Sequence, residues 1–196
     1  MKNSICPTIQ ELERIYDILA NKYGLSKIAK RPIITIQSKG SKKNTLGWFW
    51  QDKWGMKRSM GNLSEINICA EELSSKVIET LIHEMVHYHN FSLNIRDCNE
   101  HQYHNKYFKE RAETYGLNVE KNGRHGWAFT SISKELQKEL TKLKIKKQIF
   151  ALHRKRNITI TAKTKMIKYI CDCTTVRCAT DLQATCHKCK KPFIEG

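Results

Sequence analysis

The chain has 196 residues, 40% hydrophobic and 28% charged, which suits one globular domain plus a small appendage and excludes a disordered polymer. No apolar run reaches the roughly 18 residues of a membrane span, and the opening MKNSICPTIQELERIY lacks the apolar core of a secretory leader. The expectation is therefore a cytoplasmic or nucleoid-associated, intracellular monomer. With 35 Lys and Arg against 19 Asp and Glu, the formal charge is +16, a field that favours a polyanionic partner such as DNA.

Thr8 to Tyr23 has the pattern of an amphipathic helix. Ile9, Leu12, Ile15, Tyr16 and Leu19 make its stripe, Thr8 and Glu11 a capping box, and Gly24 its end. After Pro32, Ile33–Ile36 is a short β-rich run, and residues 38–44 are a loop by composition. Strands are predicted at Leu46–Trp50, around Trp54–Lys57, and at Asn62–Cys69. Trp48 and Trp50 fall on one face of the first of these, where packing against the helices is the expected role. A strand beside a cleft, pairing with an extended substrate, is the other reading.

Ser74–Phe91 is the stretch around which the rest is organised. Val77, Ile78, Leu81, Ile82, Met85 and Val86 recur at three- and four-residue intervals, as on a helix packed on a core. His83 and His87, four apart, lie one above the other on such a helix and can share one metal ion. Glu84 sits about 100° round the helix from His83, beside that metal. This is the H-E-x-x-H arrangement of zinc hydrolases, with the carboxylate as general base. A third ligand is required, and His101 and His104 are equal candidates on spacing, with Glu100, Glu110 and Glu113 behind them. The Gly and His that metzincins place after the second histidine are here Asn90 and Leu93. His89 is expected at the surface, and so is His125, with a place in the cleft as its other reading. His125, Tyr103 and Tyr107 are the candidates for an oxyanion donor.

Tyr107, Phe108, Arg111, Ala112 and Tyr115 fit a second helix ended by Gly116, and residues 123–130 fit a turn with a short strand. Ser133–Leu152 is again helical in pattern. From Lys138 to Lys168 there are eleven basic residues and one acidic, Glu139. A one-signed run of this kind fits a linker that contacts nucleic acid, through Lys144, Lys146, Lys147, Arg154, Lys155 and Arg156. Ile158–Thr161 inside it has strand character.

Four of the eight cysteines crowd into the tail as Cys171-x-Cys173 and Cys186-x-x-Cys189. In a reducing compartment such pairs signal a tetrahedral, closed, structural zinc site of ribbon type before they signal disulfides. Cys178 and His187 are possible substitute ligands, while Cys6, Cys69 and Cys98 suit small buried positions. So short a tail needs metal to supply its folding energy.

Taken together, LIHEMVHYHN, the following YHNKYFKERAETYGL and the terminal YICDC, VRCAT and CHKC resemble the SprT-like (Spartan-related) zinc metalloprotease family over essentially the whole chain. The resemblance implies an α+β zincin-like domain at residues 1–130, a small sheet with the H-E-x-x-H helix and a following helix. A basic helical linker at 131–165 and a zinc ribbon at 166–196 complete the plan. It also selects His104, which precedes Phe108 in a histidine-to-phenylalanine segment opening the second helix, although His104-Asn105-Lys106 departs from the family's common His-Gly-Pro. It implies a zinc peptidase, with one catalytic and one structural Zn²⁺, acting on protein substrates near DNA. The competing expectation is a non-catalytic zinc-containing adaptor in nucleic-acid or transcription complexes.

Overall fold

Leu12, Ile15 and Leu19 on the first helix, and Leu81, Ile82, Met85 and Val86 on the second, are almost wholly withdrawn from water. These two stripes make the core on which a mixed α+β fold is assembled. The computed structural model describes residues 4–40, 45–55, 61–73, 76–155 and 166–196. It divides into two units, Met1–Arg156 and Asn157–Gly196.

In the first unit, α1 (Cys6–Lys22) leads to β1 (Ile33–Gln37), β2 (Gly47–Gly55) and β3 (Asn62–Cys69). These strands form a sheet ordered β1-β3-β2, with β1 parallel and β2 antiparallel to β3. Ile34, Ile66 and Ile68 face the helices. Next come α2 (Val77–Ser92), α3 (Lys106–Thr114), the hairpin β4 (Leu117–Asn122) and β5 (Gly126–Ile132), and α4 (Lys134–Lys142).

Several local expectations are corrected. The helix α1 starts two residues earlier than its predicted capping box, with Pro7 in its first turn. Thr8 and Glu11 are instead buried tertiary anchors: the Thr8 hydroxyl donates to the Ile149 carbonyl, and Glu11 accepts from Arg14 and from the Lys146 backbone. The two predicted strands around the tryptophans are one strand, β2, with an irregularity between Trp50 and Trp54. Phe49, not Trp48 or Trp50, turns toward α2, its ring centroid 5.5 Å from those of Tyr88 and Phe91. Strand alternation sends the two tryptophans to the other face, and Trp50 is exposed with Lys53 over its ring.

Residues 134–151 lie against α1. Leu136, Leu140 and Phe150 are buried, the Arg14 guanidinium donates to the Leu143 carbonyl, and Lys144 adopts a left-handed conformation before a 3-10 turn at Lys147–Ala151. Lys144, Lys146, Lys147, Arg154 and Lys155 are exposed there. Arg156, the Ile158–Thr161 run and Ser74, where the long helical stretch was placed, lie outside the described residues.

The second unit is a small antiparallel sheet, β7-β6-β8, made of β6 (Ile167–Cys171), β7 (Thr174–Cys178) and β8 (Ile194–Glu195). Among its described residues, Tyr169 and Cys186 are the buried ones of apolar class, a minimal core. The Tyr169 hydroxyl donates to Asp181 and accepts from the Leu182 backbone, which ties the sheet to the following loop. Among the described residues, no helix is long and apolar enough to cross a membrane.

Candidate metal centre

The helix α2 delivers His83 and His87 on one face, and their ring centroids stand 5.1 Å apart. His104 comes from a different part of the chain, just before the N-cap of α3. There the Asn105 side chain accepts from the Tyr107 and Phe108 backbones. Two bridges, to Cys98 on one side and Gly126 on the other, fix the backbone at His104. Its N–H donates to the His125 carbonyl, and its carbonyl accepts from Trp127. Gly126 has φ of 64°, and a Cβ there would lie 2.1 Å from the His104 carbonyl oxygen. Only glycine fits. Phe108 is fully buried beneath the three imidazoles, 4.5–4.7 Å from each ring.

The ring nitrogens converge: His104 Nε2 is 3.2 Å from His83 Nε2 and 3.1 Å from His87 Nε2. These are not ordinary hydrogen bonds. Both Asp97 carboxylate oxygens lie 3.1 Å from His87 Nδ1, and the Gln102 carbonyl lies 3.0 Å from His104 Nδ1. Carboxylates and carbonyls only accept, so each Nδ1 carries the proton and each Nε2 presents a lone pair. Two lone pairs aimed at one point repel unless a cation sits between them. Three nitrogens around a tetrahedral zinc at about 2.0–2.1 Å stand about 3.3 Å apart, so the spacing fits. The third ring is held less directly: His83 Nδ1 is 3.3 Å from the Thr130 hydroxyl, which lies 3.5 Å from Glu79.

Burial, then the neighbouring imidazoles, pushes the His83 pKa well below its ordinary value. The same order of causes, burial before His87, brings His104 down to about 4. Burial also opposes charge on His87, but Asp97 outweighs it and raises that group. Glu84 is buried, and desolvation pushes its carboxyl up to about 7, against the opposing effects of His87 and the Phe49 backbone N–H. A carboxyl titrating near neutrality is suited to taking and returning a proton.

The three histidines and Glu84 line a cleft of about 520 Å³, whose wall includes Gly47, Phe49, Glu79, His125 and Thr130. Of the two readings of His125 the structure gives the second: it is half-buried in the cleft wall. His89 is buried too, with Nδ1 2.8 Å from the Tyr115 hydroxyl. Asp97, Gln102 and Thr130 are the functional partners that sequence reasoning missed. They sit in loops or on a short strand, where no periodicity marks them.

In the second unit the Cys171, Cys173, Cys186 and Cys189 sulfurs all lie within 4.8 Å of one another. Cys171 and Cys173 are 3.8 Å apart, and Cys173 and Cys186 3.5 Å, close to the roughly 3.8 Å that tetrahedral zinc–thiolate bonding requires. Backbone N–H groups of Cys189 and Lys188 point at the Cys186 sulfur and hold its pKa down to about 6, favouring the thiolate that a metal needs. Cys178 and His187 are not in this cluster. Cys69 is buried as expected, Cys98 is half-buried and Cys6 is exposed.

No family model, curated protein or solved structure matches the chain. The chemistry therefore rests on the two clusters themselves, one of three histidines and one of four cysteines. Together they are consistent with a zinc metalloprotease carrying a zinc ribbon. The histidine cluster, with an open cleft and a buried carboxylate beside it, suggests a metal-dependent hydrolase.

Proposed function

We propose that this protein is a zinc-dependent metallopeptidase that hydrolyses peptide bonds in DNA-associated proteins. The observation that carries the reading is the conjunction of three converging Nε2 lone pairs with a buried carboxylate in the same cleft. A zinc ion held by His83, His87 and His104 would polarise a carbonyl and lower the pKa of water.

The remaining steps belong to the chain's own groups. Glu84 accepts a proton from the attacking water and returns it to the leaving amine, which a carboxyl with a pKa near neutrality can do in both directions. Asp97, the Gln102 carbonyl and Thr130 keep the imidazoles in the tautomer and orientation that expose Nε2. The strand β2 pairs only with β3 among the described strands, and its other edge runs along the cleft through Gly47 and Phe49. An extended polypeptide can add there as a further strand. His125, in the cleft wall, is the group we assign to the developing oxyanion.

Lys144, Lys146, Lys147, Arg154, Lys155 and Arg156, with the net charge of +16, support DNA as the partner that brings substrates within reach. On this reading the ribbon is architectural, and the chain is arranged as catalytic domain, basic segment and ribbon.

The test is Glu84→Gln in the zinc-loaded protein, assayed on protein substrates with and without DNA. The variant should keep its metal and lose cleavage by at least about a hundredfold, the scale of a lost general base. Equal cleavage by variant and wild type would sink the mechanism. The non-catalytic adaptor would need a fourth protein ligand closing the histidine site. Among the described residues that cluster has three members.

A further inference from the structure

A second hollow, of about 550 Å³, lies beside the metal cleft. The two share Phe49, His87 and Cys98 as a common wall. The rest of the second hollow is built by Gln51 of β2 and by the last turn of α2 and the loop after it, chiefly Phe91 and Ile95.

Its place relative to the reaction follows from how β2 and α2 run. A Cβ on Gly47 would meet Thr80 and approach Glu84, while Phe49, two residues on, packs against Tyr88 and Phe91. Strand and helix thus advance in the same direction. A polypeptide lying along the β2 edge passes the three histidines and then reaches the hollow.

The hollow's buried polar groups are already engaged, and its other polar side chains, Gln51, Asn94 and Arg96, are exposed to water. Asp97 is held by His87 and by the Asn90 amide, and the Arg96 side chain, largely in water, faces Glu100 at 3.5 Å and the Cys98 carbonyl at 3.4 Å. The surface there that a ligand would newly withdraw from water is the half-buried apolar face of Phe49, Phe91 and Ile95. Covering it with an apolar group is favourable, whereas a charged group pressed against those three side chains would lose water without gaining a partner from them.

We propose that this hollow receives a bulky apolar side chain, Leu, Met, Phe or Tyr, of the polypeptide in the cleft, at one fixed position from the cut. The inference rests on the peptidase reading and makes the enzyme selective for the sequence around the bond it breaks.

Two measurements on the full chain separate the inference from the reading beneath it. A randomised peptide library is captured on zinc-loaded Glu84→Gln, and the same library is digested by zinc-loaded wild type. Captured and cleaved peptides should both be enriched in bulky apolar residues. At the selected position, kcat/KM should be at least about tenfold higher for Leu than for Ala. Ile95→Trp, which fills the hollow, should shift selection to Gly, Ala and Ser. Ile95→Asp should shift it to Lys and Arg. Cleavage and capture without apolar enrichment, or a preference that neither Ile95 variant moves, would overturn the inference. Absence of any cleavage by wild type, with apolar capture intact, would instead sink the peptidase reading.

Discussion

The histidine cluster and the cysteine cluster gather their ligands in opposite ways. His83 and His87 share one helix, but His104 is placed by bridges to Cys98 and Gly126, over a floor made by Phe108. Each imidazole has a partner on its far side, so the centre is built by a core that exists for other reasons. The four cysteines come from two tight turns on a sheet whose core is little more than Tyr169. One site is a product of its fold, whereas a core as small as the other's is the kind that bound metal helps to fold. Preorganisation suits an open reactive centre, and metal-driven folding suits a closed structural one.

Withdrawing metal sharpens this contrast most. Structural zinc contributes on the order of 10 kcal/mol to small domains, so chelation should unfold residues 166–196 and leave the first unit folded. Amide exchange resolved along the chain reads both at once. Protection that persists in β6 and β7 without metal would break the comparison.

Gly126→Ala should come next. Its Cβ would collide with the His104 carbonyl in a backbone conformation that L side chains avoid, a cost of about 3 kcal/mol or more. Denaturant melts should show that loss together with weaker metal binding at the histidine site, while the ribbon keeps its ion.

Glu84→Gln should do the reverse in metal-free protein. Burial raises the folded-state pKa from 4.5 to about 7, so the folded chain binds this proton more tightly than the unfolded chain does. The stability gained is complete below pH 4.5 and is lost as the pH rises through about 7. At pH 8 the glutamine variant should therefore exceed wild type by about 3 kcal/mol, and at pH 4 the two should be nearly equal. Melts at the two pH values check this.

The smallest effects lie in the outer contacts. Asp97→Asn should weaken metal binding at the histidine site about 10- to 100-fold. Thr130→Val should weaken it less, because its contacts to His83 and Glu79 are longer. Competition with a chelator of known affinity ranks them, and the opposite ranking would mean that His83 is oriented by something else.

What the sequence disclosed follows the same division. His83, Glu84 and His87 stand out because helical periodicity places them, and the four cysteines because short spacings place them. His101 and His104 were equal on spacing, and long-range contacts separate them: the backbone at His104 alone bridges both Cys98 and Gly126. Asp97 and Thr130 were invisible for the same reason. His89, between the two predicted helical elements, was expected at the surface, yet the Tyr115 hydroxyl gives it a buried partner. Phe49 was overshadowed by its tryptophan neighbours, and the pairing with β3 decides which of them meets the core.

Counting metal ions per chain by native mass spectrometry tests the two-site account most directly. Wild type should carry two zinc ions, and His104→Ala and Cys186→Ser one each. Cys186→Ser should keep the ion at the histidines, and His104→Ala should keep the ion at the cysteines. Wild type with a single ion, or His104→Ala retaining both, would contradict it.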